Sequence, residues 1–207
     1  MPKVADPAVR DSLVETAARL IAEREPLSTR RLAAELGTST MAVYTHFGSM
    51  DELRRAVRRD GFARLAEHMA KVHPTKDPVA DLALAGHAYC VNALRNPHLY
   101  RVMFMETPID QEDAAVGLYT FEALVAIVQR CIDAGRFKSS GEPWSLAVQA
   151  WIAAHGVVTL FLAGMMVEEQ AIETLEAITK NMLVGFGDDP GSIARSFAAA
   201  EKREEVI

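Results

Sequence analysis

What the chain lacks narrows it first. It has two cysteines in 207 residues, Cys90 and Cys131, and neither has a second cysteine at the short spacing of a redox dithiol or a zinc site. A disulfide scaffold is excluded, and a reducing, cytoplasmic setting is expected. No stretch alternates apolar and polar residues long enough to make a strand. Met1 to Asp6 include Lys3 and Asp6 and no apolar run, so no secretory leader is read there. The chain shows no nucleophile beside a base, no carboxylate pair at a recognisable site, no metal-ligand cluster and no glycine-rich phosphate loop. His87, Cys90 and His155 are too scattered in sequence to make a site. The expectation is therefore no catalytic residue, no metal and no cofactor. Internal repeats and low-complexity runs are absent too.

Charge is also missing from one long segment. Pro143 to Val167 contains no Asp, Glu, Lys or Arg, and a run of about 20 apolar residues is enough to cross a bilayer. Gln149, His155 and Thr159 interrupt it, however, and Glu142, Glu168 and Glu169 flank it where basic anchors would be expected. A helix buried at a subunit interface explains the run better than a membrane span. No membrane partner is expected, and a membrane-anchored protein stands only as a third reading.

What is present is a half-apolar chain of net charge −6, long enough for a sizeable core. Its charge is uneven: residues 1–60 hold ten basic against nine acidic side chains, and the remainder twelve against nineteen. A near-neutral head that tolerates phosphates and an acidic body that does not are implied.

Apolar residues recur at spacings of three and four throughout, so the fold class is all-α. A first helix is expected from about Ala8 to Arg24, with Leu13, Ala17, Leu20 and Ile21 on one stripe and Pro26 behind it. Ser28 or Thr29 caps a second helix through Leu36, Gly37 supplies a left-handed turn, and a third helix runs from Ser39 to about Phe47. Helices this short are marginal alone. They make sense as a three-helix helix-turn-helix domain over residues 1–50, followed by a long linking helix from about 51 to 73. Residues 51–207 are read as a larger helical bundle for effector binding and dimerisation. Its further helices are expected at about 79–95, 97–105, 114–134, 143–166, 168–185 and 191–204.

On the third helix Ala42, Val43 and Phe47 face the core, which leaves Thr40, Met41, Tyr44 and Thr45 outward. Small hydroxyls, a methionine and a tyrosine on an exposed helix suit a major groove, where they meet base edges, thymine methyls and phosphates. Ser39 opens the helix with free amides that favour a phosphate.

Ala18, Leu20, Leu27-Ser28-Thr29, Leu32-Ala33, Leu36-Gly37, Ser39, Tyr44-Thr45-His46-Phe47 and Asp51-Glu52-Leu53 together resemble the TetR family of repressors. The resemblance covers about residues 8 to 55. It implies that Thr29 meets a phosphate, that Thr40 and Met41 meet bases, and that Tyr44 and His46 hold the DNA backbone. Many relatives carry a phosphate-binding lysine where Met50 stands. Arg30, Arg31, Arg54 and Arg55 are the cations available to compensate, whereas Arg58 and Arg59 read as a solvated face. The DNA-contact set is thus Thr29, Arg30, Ser39, Thr40, Met41, Tyr44, Thr45 and His46.

In the second domain, Trp151-Ile152-Ala153-Ala154-His155-Gly156 resembles the Trp-His-Gly motif of one group of TetR-type C-terminal domains. Trp151 and His155 share a helix face. With Tyr89, Phe104 and Phe121 they are expected to line a mostly apolar pocket for a small-molecule effector; the plain alternative is that they are core. The segment of about 143–185, with Leu175, Ile178 and Met182 on a stripe, is the expected homodimer contact. The function implied is a sequence-specific regulator, a ligand-responsive repressor that binds a palindromic operator in double-stranded DNA as a dimer. A helical small-molecule-binding protein or enzyme without DNA binding is the alternative.

Overall fold

The computed structural model describes residues 6–138 and 141–203. Eleven helices lie within them and no strand: α1 (Pro7–Ala22), α2 (Thr29–Leu36), α3 (Thr40–Phe47), α4 (Met50–Ala70), α5 (Pro78–Arg95), α6 (Pro97–Met105), α7 (Gln111–Ala115), α8 (Leu118–Asp133), α9 (Pro143–Leu162), α10 (Glu168–Gly185) and α11 (Pro190–Glu201). Residues 1–5, in the segment where no secretory leader is read, part of the break at 139–143 and the last expected helical residue, Glu204, lie outside the described residues.

Local chemistry sets the ends of the first helices. The Asp6 carboxylate accepts the Ala8 N–H at 3.0 Å with Pro7 behind it, opening α1. Arg24, in the left-handed region at φ 57°, closes α1, and the Glu25 N–H returns to the Leu20 carbonyl. The Ser28 hydroxyl accepts the Arg31 N–H to start α2, and Gly37 at φ 61° ends it. The Ser49 hydroxyl accepts the Glu52 N–H at 3.1 Å and starts α4.

The chain packs as two units: one runs to Arg64 and adds Asn96–Gly117, and the other holds Leu65–Arg95 and continues from Leu118. In the first, Leu13, Val14 and Leu20 of α1, Leu32 of α2, Val43 of α3 and Leu53 and Val57 of α4 are fully buried together. Leu99 and Val102 of α6 complete this core. The sequence reading placed α6 in the larger bundle, whereas it packs on α1. Gly61 permits a close crossing of α4 over α6, because a Cβ there would stand 2.6 Å from the Met103 Sδ.

The single helix expected over 114–134 is two, α7 and α8, separated at Val116 and Gly117. The Phe62 ring lies so near Gly117 that a Cβ would stand 2.2 Å from it. Asp110 caps α7 by accepting the Asp113 N–H at 2.9 Å. Arg58 also departs from expectation. It is 5% exposed, donates to the carbonyls of Met103 (2.6 Å) and Glu106 (2.8 Å), and pairs with buried Asp113 at 3.1 Å. Its neighbour Arg59 is exposed and pairs with Glu52, as a solvated face would.

In the second unit α5, α8, α9, α10 and α11 enclose Val79, Val128, Cys131, Phe137, Leu146, Leu183, Phe186 and Ile193. Two ion networks tie its helices together. Buried Asp81 accepts from Arg130 at 2.9 Å and Arg203 at 2.8 Å, and Arg136 spans Asp77 and Asp188.

Helix α9 and the stretch Gln111–Asp133 are both long and apolar enough to cross a membrane, with 28% and 17% of their apolar windows buried. The uncovered face of α9 carries Ile152, Gly156 and Leu160, while on α10 Ile172, Ile178 and Val184 are exposed at positions spread around the helix. The expected α10 stripe is thereby divided: Ile178 faces outward, Met182 packs on the unit's own core, and Leu175 lines a partly open cavity.

Candidate functional site

The turn Gly37-Thr38-Ser39 brings α3 off the end of α2, and burial of Val43, flanked by partly buried Ala42 and Phe47, fixes its rotation. With that face committed, Thr40, Met41, Tyr44 and Thr45 are exposed, Met41 at 66% and Tyr44 at 50%. Ser39 is exposed and makes no side-chain cap, so its hydroxyl does not engage the first amides of α3. The Thr45 hydroxyl donates to the Met41 carbonyl at 2.9 Å and keeps acceptor capacity only. His46 is half-buried against the Phe47 ring, over which the Arg10 guanidinium lies at 5.8 Å.

The arginines divide sharply. Arg31 is held by Glu25 and Glu35, and Arg55 by Glu52 and Asp110. Arg30 and Arg54 are exposed and have no acidic partner among the described residues. Thr29, at the first position of α2, is half-buried beside Arg30. Met50 packs against the first unit's core. An apolar residue there thus has a packing role that a lysine would not fill.

In the second unit four of the five expected effector residues form one chain of contacts. The Tyr89 hydroxyl and His155 Nδ1 are 3.0 Å apart, the Trp151 and His155 rings are 5.3 Å apart, and Phe121 meets Trp151 edge-on at 6.1 Å. Burial pushes the His155 pKa below its ordinary value, so the neutral imidazole is favoured. Phe104 stands on α6 in the other unit, its ring beside those of Phe62 and Tyr100. Trp144, outside the expected set, meets Phe121 edge-on at 4.7 Å. Its spacing of seven from Trp151, two helical turns, was the available signal.

The segment 13–57 matches the family model described as bacterial regulatory proteins, tetR family, and 82–184 matches the one described as tetracyclin repressor-like, C-terminal domain. The chain belongs to the TetR family of transcriptional regulators.

As a TetR-family member it is a DNA-binding transcriptional regulator. It is 29% identical over 163 residues to an uncharacterized HTH-type transcriptional regulator of Mycobacterium tuberculosis, across 76% of this chain and 72% of that one. A protein of unknown function from Rhodococcus sp. RHA1 shares the fold with a TM-score of 0.73 at 24% identity, covering 89% of this chain and 98% of its own. PfmR, a TetR-family transcriptional regulator from Thermus thermophilus, does so at 0.67 and 24%, covering 80% and 96%. The second TetR-family model spans Trp144, Trp151, His155 and Gly156, and the first spans all of α2 and α3.

Proposed function

We propose that two copies of this regulator pair through α9 and α10 and set their α3 helices into successive major grooves of a two-fold symmetric operator. The observation that carries the reading is α3 itself: one face is fully committed to the core, and the other presents Thr40, Met41, Tyr44 and Thr45, with no partner for the Tyr44 hydroxyl among the described residues. Thr40 and Met41 read base edges, Ser39 and Thr45 accept or approach nearby groups, and Thr29, Arg30, Tyr44 and His46 hold phosphates. Arg54 adds a second unpaired cation to replace the lysine absent at Met50. Pairing of α9 and α10 covers Ile152, Leu160, Ile178 and Val184, which otherwise stand exposed without function.

A small, partly aromatic molecule at Trp144, Trp151, His155, Tyr89 and Phe121 is the effector in this reading. It favours one arrangement of the dimer and releases the operator by population shift, which makes the protein a ligand-responsive repressor of the cytoplasm. Selection of bound duplexes from a random library tests the DNA part. Enrichment of a palindrome with half-sites about one helical turn apart is expected; recovery of no symmetric site contradicts it.

A further inference from the structure

Helices α5, α9, α10 and α11 line a partly open cavity of about 470 Å³, within the range of small-molecule sites. Leu82, Val157, Phe161, Leu175 and Phe197 give it apolar walls. It is separate from the aromatic cluster. Val157 and Phe161 stand two and six residues beyond His155, and at about 100° per residue they fall on the far side of α9; none of Tyr89, Trp144, Trp151 and His155 lines the space.

One residue keeps this space open at a cost to its helix. Gly86 sits inside α5 in the cavity wall, and a Cβ built there would meet no atom within 4 Å. Glycine in a helix interior is less stable than alanine, and no close backbone approach demands it here. Cys90 also lines the cavity, and burial pushes its thiol up to about 12, so it stays uncharged.

The polar edge is acidic. Glu168 at the start of α10, Glu176 about two turns on, and Glu201 at the end of α11 contribute to the lining. Lys180 is engaged by Glu176 and lies 5.0 Å over the Phe197 ring. Glu168 and Glu201 have no ion-pair partner among the described residues.

We propose that this cavity binds an amphiphilic organic cation, an amine with a hydrocarbon body, at a site separate from the aromatic cluster. Hydrocarbon burial against the apolar walls supplies affinity roughly in proportion to area. The free carboxylates supply selectivity, attracting an ammonium and repelling an acid of the same length.

Calorimetric titration of the whole chain with decylammonium, decanol and decanoate, each below its micelle threshold, tests this. One decylammonium per chain is expected, bound at least about tenfold more tightly than decanol, with decanoate the weakest. Gly86→Leu fills the space and lowers decylammonium affinity more than about tenfold while helicity is kept. Glu168→Gln with Glu201→Gln brings decylammonium to the affinity of decanol. Trp151→Ala leaves the affinity unchanged, which separates this site from the effector cluster. Should Gly86→Leu fail to fold, the glutamate pair and Trp151→Ala carry the test. Equal binding of decanoate, no saturable binding, indifference to both cavity variants, or loss on Trp151→Ala alone overturns the proposal.

Discussion

Val43 and Tyr44 are neighbours in sequence and opposites in environment, the first fully buried and the second half exposed. That contrast is what lets single substitutions separate reading from folding. Tyr44→Phe removes one hydroxyl and should weaken binding to every duplex alike by roughly tenfold, the worth of one hydrogen bond to a charged acceptor. Met41→Ala should instead relax preference at one base pair. Anisotropy titrations on matched duplexes distinguish the two, and an unchanged Tyr44→Phe affinity removes that contact. Arg58 and Arg59 form a second contrasting pair. Arg58→Met strands buried Asp113, whose Oδ1 already lacks a partner, and should cost about 3–5 kcal/mol; Arg59→Met should stay within about 0.5 kcal/mol. Denaturant melts measure both, and equal small effects would refute the buried role. The exposed face of α3 was legible from spacing because helical period alone decides it. The burial of Arg58 was not, because its acceptors come from 45 or more residues away along the chain.

His155 gives a pH prediction at the same scale. Its folded pKa lies below the ordinary value of about 6.5, so between the two pKa values the unfolded chain binds more protons. Its contribution to stability is complete above the ordinary value and is lost as pH falls through the folded one. His155→Gln should therefore flatten the acid-side decline in thermal midpoint below about pH 6.5; an unaltered profile would show that His155 is not its source.

Among the elements, α7 and α8 show how a local contact overrides a periodic pattern. Apolar spacing runs through 114–134, and the division falls at Gly117, a weak helix former lying so close to the Phe62 ring that no larger side chain fits. Gly117→Ala should cost roughly 1–3 kcal/mol by forcing that ring away, read from a denaturant melt; a neutral result would show that Phe62 yields freely. Helix α6 was drawn correctly and placed wrongly, since amphipathic spacing reveals a buried face and never its partner. The caps at Ser28 and Ser49 and the turn at Gly37 are readable because each depends on residues no more than four positions away. The aromatic cluster is legible where Trp151 and His155 lie four apart on α9, whereas Trp144 lies a further seven residues back, outside the Trp-His-Gly motif.

At the scale of the whole molecule, the chain passes between its two packing units three times, at Arg64–Leu65, Arg95–Asn96 and Gly117–Leu118. A change in the second unit therefore has three covalent routes to the unit that carries α3. Dimerisation supplies the remaining requirement, and Gly156 offers its clearest test. A Cβ there meets nothing within 4 Å, so Gly156→Leu should leave the isolated fold intact. If the copy's α9 packs over Ile152 and Leu160, the same change should weaken the dimer by tenfold or more, at a cost of about 1.4 kcal/mol or above, in sedimentation equilibrium. An unchanged dimer would move the interface elsewhere.

The central claim is that paired α3 helices read sequence, and the ratio of affinities for a selected palindrome and a scrambled duplex of the same composition measures it most directly. At physiological salt the account predicts a ratio of about a thousand or more, with two chains per palindrome and most of the ratio lost in a Thr40→Ala, Met41→Ala double variant. Equal affinity for both duplexes, falling together with salt as phosphate binding alone would, would contradict it.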